Sequence, residues 1–374
     1  MLMVSFMKKV VIGMSGGVDS SVAAILLKNQ GYEVIGLFMR NWDASLNNDF
    51  LGNPTLNQNI CPQEQDYNDA LKVCKQIGIP LHRIDFVKEY WDYVFTYFLE
   101  ELKLGRTPNP DIMCNKYIKF DMFVKEAKKL EADYIATGHY ARIENGKLLK
   151  AVDHNKDQTY FLSQLSKKQL SHVLFPIGNL DKPEVRKLAS EYNLVTSKKK
   201  DSTGICFIGE RNFTKFLENY LPNIPGKIIN IETNEVIGNH IGLMYYTIGQ
   251  RKGLNLGGND ERTFVVGKNL NRNILYVAHG DDNEYLYSDS AIIDTINWIG
   301  DTKPNKCCAK FRYRQQDNPV NMEYIDDNHI LVTYSQGIKA VTPGQACVFY
   351  KDDECLGGGL IKEVRKNGEK LWYL

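Results

Sequence analysis

The first forty residues change texture twice. The apolar run Lys9-Val10-Val11-Ile12 predicts a buried strand, Ser21-Val22-Ala23-Ala24-Ile25-Leu26-Leu27 a helix, and Glu33-Val34-Ile35-Gly36-Leu37-Phe38-Met39 a second buried strand ending in Arg40-Asn41-Trp42-Asp43. Residues 44–63, rich in Asn and Pro, are expected to form an exposed loop. Helical periodicity returns from Glu64 to Ile77, Pro80 to Phe86 reads as a third strand, and an amphipathic helix is expected from about Lys88 to Lys103. Two prolines in Gly105-Arg106-Thr107-Pro108-Asn109-Pro110-Asp111 break the pattern before a helix over Lys116–Leu130 and a strand over Asp133–Thr137. Strands alternating with helices imply an α/β fold, a doubly wound and mostly parallel sheet whose ligands lie beyond the carboxyl ends of its strands. Gly13–Ser20, Asp43 and Gly138-His139 would then converge on one crevice.

After a last helix over Phe213–Leu221, the segment Pro222-Asn223-Ile224-Pro225-Gly226 leads into short alternating strands separated by Gly, Asn and Asp. The expected organisation is an α/β domain over residues 1–215, a central β-rich domain over 216–282 and a small C-terminal β-barrel over 283–374. A chain of 374 residues is too long for one core, which agrees with that division.

Composition narrows the class. Apolar residues at 43% and charged residues at 24% are ordinary for a globular protein in water. The formal net charge is only +1, so any nucleic-acid footprint must be local. Met1–Phe6 is too short for a signal-peptide core, and no stretch is apolar enough to span a bilayer. Eight cysteines without a Cys-x-x-Cys pair are expected to be thiols in a reducing cytoplasm, not a disulfide framework or a zinc site.

Chemistry concentrates at three places. Gly13-Met14-Ser15-Gly16-Gly17-Val18-Asp19-Ser20 joins the first strand to the first helix, where glycines and free helix N–H groups can cradle an anion. The alternative is a strand-to-helix turn capped by Asp19 or Ser20. Cys114, expected at a helix start beside Lys116 with Asp111 as a neighbouring acid or base, would have its thiolate favoured. Cys206, in a loop with glycines on both sides and downstream of Lys198-Lys199-Lys200, would too. Each cysteine taken alone reads better as a structural thiol. Lys310-Phe311-Arg312-Tyr313-Arg314 interleaves cations with rings, which suits phosphates and stacked bases, or simply a solvated strand face. His139 alone reads as a loop histidine, and Lys156-Asp157-Gln158 as a polar turn.

Ser15-Gly16-Gly17-Val18-Asp19-Ser20 is neither a Walker A loop nor Gly-x-Gly-x-x-Gly, and resembles the PP-loop of ATP pyrophosphatases. With Asn41-Trp42-Asp43, Thr107 to Asn115, Ala136 to Arg142, Lys156-Asp157-Gln158 and Gly204 to Gly209 in order, the whole chain resembles the bacterial tRNA-specific 2-thiouridylases. The resemblance implies a cytoplasmic sulfurtransferase that uses ATP, with Mg2+, to adenylate the wobble uridine of tRNAs for Lys, Glu and Gln. Sulfur would then come from a cysteine persulfide supplied by a donor protein, a cysteine desulfurase or sulfur-relay protein. It implies ATP contacts at Gly13–Ser20, Met39 and Gly138, with Asp19 or Asp43 as metal-side carboxylates. Asn109, Pro110 and Asp111 would meet the target base, Cys114 would be the nucleophile, Cys206 the persulfide carrier and Asp111 an acid or base. His139, Lys156, Asp157, Gln158, Arg312, Tyr313 and Gln345 would contact tRNA. Two competing classes remain open at this stage: another PP-loop synthetase acting on a small carboxylate or purine, and a non-catalytic tRNA-binding or sulfur-carrier protein.

Overall fold

A computed structural model describes residues 7–56, 61–201, 204–206, 208–209, 211–256 and 262–374. The readings made for Met1–Phe6, for residues 57–60 and for Phe207 lie outside them. The chain forms two compact units. One comprises Met1–Phe95, Pro110–Arg211 and Asp353–Cys355; the other comprises Thr96–Asn109, Asn212–Asp352 and Leu356–Leu374.

The first unit is built on strands β1 (Lys9–Gly13), β2 (Glu33–Arg40), β3 (Leu81–Asp85) and β4 (Tyr134–Ala136). A hairpin of β5 (Ala141–Glu144) and β6 (Lys147–Lys150) follows, then the short β7 (Val173–Leu174). The sheet runs β3-β2-β1-β4-β7, with every pairing parallel. Val10, Val11 and Ile12 are wholly buried, as a central parallel strand covered on both faces requires. Helix α1 (Val18–Asn29), helix α2 (Pro62–Ile77) and a helix over Lys182–Glu191 supply the apolar cover, through residues such as Val22, Val73 and Val185. From β1 the chain goes to β2 on one side and later to β4 on the other. That reversal opens a crevice at the carboxyl ends of β1 and β4.

Two expectations change here. The helix expected from Lys116 begins at Pro110 and runs to Lys129, so Cys114 lies inside a helical stretch instead of before its start. From Cys114 to Met122 its turns are of the wide π type. The Asn-rich loop is not simply exposed either: Asn47, Asp49 and Asn53 are buried, with Asp49 fully covered. Asp49 accepts a hydrogen bond from the Trp42 indole at 3.0 Å and pairs with Arg211 at 2.9 Å, while Asn53 donates to the Asp49 carbonyl. The polar side chains turned inward satisfy one another, and Leu46, Phe50, Leu51 and Leu56 are left on the surface.

The second unit is β-rich. Strands β8 (Gly226–Asn230), β9 (Val236–His240), β10 (Thr263–Asn269) and β11 (Ile274–His279) form a sheet in the order β10-β11-β8-β9. The barrel comprises β12 (Tyr287–Trp298), β13 (Lys306–Lys310), β14 (Asn318–Tyr324), β15 (Ile330–Lys339), β16 (Ala346–Lys351) and β17 (Glu354–Lys366). Its order is β12-β15-β14-β13-β16-β17, and pairing of β12 with β17 closes it and removes the free edges. Thr96–Asn109, far upstream in sequence, belongs to this unit. Thr107 donates its N–H to the Pro343 carbonyl at 2.9 Å, Gln345 donates to the Thr107 carbonyl at 2.7 Å, and Lys268 to that of Gly105 at 2.8 Å. Among the described residues, no helix is long and apolar enough to cross a membrane.

Candidate active site

The loop from Gly13 to Ser20 crosses from β1 to α1. Gly17 sits at the N-cap and no side chain caps the helix, so its first N–H groups keep their capacity to meet an anion. Asp19 and Ser20 therefore do not act as caps. Ser15 and Ser20 hydroxyls lie 3.1 Å apart, and Ser20 also accepts from the Ser15 N–H at 3.2 Å, which fixes the loop from within. Gly16 has φ +73°, and a Cβ there would fall 2.2 Å from the Asp66 carbonyl oxygen. Gly138, just past β4, packs so closely that a Cβ would come within 2.8 Å of the Ser20 nitrogen. Met39 closes β2, buried and paired with Ile84.

Asp19 and Asp43, the expected metal-side carboxylates, are already engaged. Lys182 reaches Asp19 at 2.7 and 3.0 Å and the Tyr140 hydroxyl donates to it at 2.9 Å, while Arg40 pairs with Asp43. Among the described residues, no group of three His, Cys, Asp or Glu side chains could hold a metal ion. These carboxylates do not fit a magnesium site of the protein's own.

Lys182 also reaches Asp201 at 2.8 Å, where Lys156 (2.7 Å) and Arg186 (2.8 Å) converge. Burial alone would raise the Asp201 carboxyl, yet Lys156 and Lys182 hold it at about 2. A depressed acid contributes stability above its unfolded value, near 4, and loses it as the pH falls through 2. Thermal unfolding followed from pH 5 down to pH 2 should show this loss in the wild type and a smaller acid dependence in Asp201→Asn.

The two cysteines meet. Cys114 and Cys206, 92 positions apart, place their sulfurs 3.8 Å from each other, with the Cys114 thiol donating. Cys206 occupies a turn closed between Ile205 and Gly209, with Gly204 and Gly209 both at positive φ, so the loop with glycines on both sides is a short reversal. Asp111 accepts the Cys206 N–H at 3.1 Å, and the Tyr90 hydroxyl donates to the Cys206 carbonyl at 2.8 Å.

The thiols differ in acidity. Burial, with Cys206 as a neighbour, pushes the fully covered Cys114 well above the usual thiol range, against the expectation that its thiolate is favoured. Cys206 is held below that range by the hydrogen bond from Cys114 and, against burial, by the Lys119 ammonium. Burial likewise raises Asp111.

The expected cations are elsewhere. Lys116 reaches Gln164 at 3.3 Å and Lys199 pairs with Asp66 and Asp69, each at 2.7 Å. Lys119 does the task instead, and periodicity could not have shown it. Five residues apart, Cys114 and Lys119 would face different sides of an α-helix; turns closed by i→i+5 bonds bring them to one side.

The remaining expected contact residues are engaged within their own unit. His139 is buried, bonded to Thr137 at 2.7 Å and 3.5 Å from Lys119; burial and that cation hold it well below its ordinary value, as a neutral ring. Asp157 accepts from the Ala151 N–H and the Thr159 hydroxyl, and Gln158 from the Tyr140 N–H. Arg312 donates to the carbonyls of Ile248 and Ala340, each at 2.7 Å. Arg314 lies over the Tyr313 ring, 5.3 Å from its centre. Asn109 ends the segment that groups with the second unit, and Pro110 begins the helix that carries Asp111.

Comparison with known proteins adds the family. The tRNA methyl transferase HUP domain matches residues 8–210, the tRNA methyl transferase PRC-barrel domain residues 214–279, and the aminomethyltransferase beta-barrel domain residues 288–361. A tRNA-specific 2-thiouridylase MnmA of Mycoplasma capricolum is 60% identical over 373 residues, covering 96% of this chain and 100% of that protein. The chain belongs to the tRNA-specific 2-thiouridylase family. Another member, from Bacillus cytotoxicus, is 57% identical over 373 residues, 98% of each chain. Among solved structures, an NMN synthetase from Francisella tularensis aligns over 53% of this chain and 67% of its own, at 18% identity and a TM-score of 0.32. In this 2-thiouridylase-family chain Lys119, Tyr90 and Lys182 are the site residues the motifs did not announce. Of these only Lys182 had a legible signal: Asp181-Lys182-Pro183-Glu184 is a capping box with Pro at the helix start.

Proposed function

We infer that this chain is a cytoplasmic, ATP-dependent tRNA sulfurtransferase that replaces the C2 oxygen of the wobble uridine of tRNAs for Lys, Glu and Gln by sulfur. The observation that carries the reading is the pairing of Cys114 and Cys206 at 3.8 Å in the same unit as an uncapped strand-to-helix loop. Residues 1–215 would hold the chemistry, and 216–282 and 283–374 the tRNA-binding surfaces.

A carbonyl oxygen of uracil is a poor leaving group. Attack of O2 on the α phosphate of ATP releases pyrophosphate and turns that oxygen into part of AMP, which can leave. Gly13–Ser20, Met39 and Gly138 would bind the nucleotide, with the N–H groups of α1 facing phosphate. Mg2+ would accompany ATP through phosphate oxygens, and no step is assigned to it. The uridine must leave its stack, at a cost of a few kcal/mol, roughly, repaid by tRNA contacts. Asn109, Pro110 and Asp111 would receive the base. His139, Lys156, Asp157, Gln158, Arg312, Tyr313 and Gln345 would shape or contact the tRNA surface.

Sulfur would arrive on Cys206 as a persulfide from a donor protein. Its outer sulfur attacks C2 and Cys114 then attacks the inner sulfur, breaking the S–S bond and leaving the outer sulfur on C2; or Cys114 attacks the inner sulfur first and releases hydrosulfide, which attacks C2. In both orders AMP leaves and Cys114 and Cys206 become a disulfide, which a thiol reductant must reopen. Asp111, its carboxyl raised by burial, would pass protons during these steps.

The names of two matching domain families favour a second reading, tRNA methyl transfer. One measurement separates them. Nucleosides from wobble-uridine tRNA incubated with the chain, Mg-ATP and a persulfide donor are analysed by mass. Sulfur in place of oxygen, absent with Cys114→Ala, is expected. A methyl gain supports the second reading, and an unchanged nucleoside with AMP formed on a small substrate points to a synthetase.

A further inference from the structure

Lys119 lies on the helix of Cys114, 3.5 Å from His139 and within electrostatic reach of Cys206, Cys114 and Asp111. A buried ammonium is costly unless anions face it. Here burial opposes its charge, and Cys206, Cys114 and Asp111 more than offset that, so Lys119 stays protonated. The neutral His139 ring adds no competing charge: its Nδ1 is bonded to Thr137, and its Nε2 faces the ammonium as an acceptor. Tyr90, whose hydroxyl is raised by burial, donates to the Cys206 carbonyl and carries no charge into the site. The Lys119 ammonium acts on the Cys206 sulfur, to which Cys114 offers its S–H at 3.8 Å. Cys114 donates and Cys206 accepts, which makes the pair asymmetric.

We propose that Lys119 is a positioning residue that aims its ammonium at the Cys206 sulfur, so that Cys206 and not Cys114 takes up the incoming sulfur. The step is a thiol exchange. The Cys206 thiolate attacks the outer sulfur of a donor persulfide, R–S–SH; a new S–S bond forms on Cys206, the donor's S–S bond breaks, and R–S⁻ leaves with the electron pair. The persulfide proton passes to the departing R–S⁻, and the terminal sulfur left on Cys206 faces the same ammonium. The π-type turn is what places the cation, so the irregular helix is part of the device. The proposal rests on the sulfur-transfer reading only for the identity of the incoming group.

The test is the pH dependence of iodoacetamide labelling at Cys206 in the full chain, read by peptide mass spectrometry without ATP or tRNA. Cys61, which is exposed, serves as internal reference. The wild type should label Cys206 with a midpoint below that of a free thiol, about 8.5. In Lys119→Met the midpoint should rise, with the rate at pH 7 falling about tenfold for each unit of rise, while Lys119→Arg restores most of the rate and Cys61 is unmoved. Should Lys119→Met fail to fold by circular dichroism, Lys119→Gln is read in the same way. An unmoved midpoint, equal slowing at Cys61, or a wild-type midpoint at or above that of a free thiol overturns the proposal. Normal labelling shifts with no thiolation of tRNA would sink the sulfur-transfer reading and leave this one standing.

Discussion

Cys206→Ser is expected to abolish sulfur transfer to tRNA while ATP binding persists. The change swaps one sulfur for oxygen at a half-buried turn, so the fold should hold: the Asp111 bond to the backbone N–H and the Tyr90 bond to the carbonyl do not involve the side chain. A serine hydroxyl cannot carry a persulfide, and without it Cys114 has no sulfur partner 3.8 Å away. Loss should therefore be complete within detection, not a modest slowing. Nucleotide binding by calorimetry and thiolated nucleoside by mass are the paired readouts. Retained thiolation from a persulfide donor would refute the role given to Cys206. Loss of both activities would mean that the turn itself had collapsed.

Asp49→Ala should destabilise the first unit by about 3–5 kcal/mol, the usual cost of leaving one member of a buried ion pair behind. The Asp49 side chain is wholly covered and that of Arg211 is 8% exposed, so water cannot replace the lost carboxylate. The same substitution removes the acceptor of the Trp42 indole. Denaturant unfolding gives the number. The double change Asp49→Ala with Arg211→Leu should recover part of it, because the stranded charge goes too. A loss under about 1 kcal/mol in the single variant would show that the pair is weaker than buried pairs usually are. Arg211 follows the Cys206 turn directly, so this measurement also reports how firmly that turn is anchored.

These two cases divide what could be read from what could not. The Ser-Gly-Gly loop, the alternation behind the parallel sheet, the change to β structure near Pro222 and the barrel from about Tyr285 are local or periodic properties, and they were legible in residue order. The region from Ala141 to Glu191 was legible in part: its capping box stands in plain sequence at Asp181 to Glu184. The loop after β2 misled because composition reports polarity without direction: Asn47, Asp49 and Asn53 point inward, and only their partners reveal it.

By itself the sequence determined the elements, their class and the reactive residue types, since strand and helix periods, glycine freedom and thiol chemistry are carried within a few neighbouring residues. Only the tertiary structure decided which groups meet. It joined Cys114 to Cys206 across 92 positions, chose Lys119 over Lys116 through a π-type turn, and committed Asp19 to Lys182 and Tyr140. Charge and proximity act through space, and burial decides their strength, so of two thiols alike in sequence one is held above the usual thiol range and the other below it.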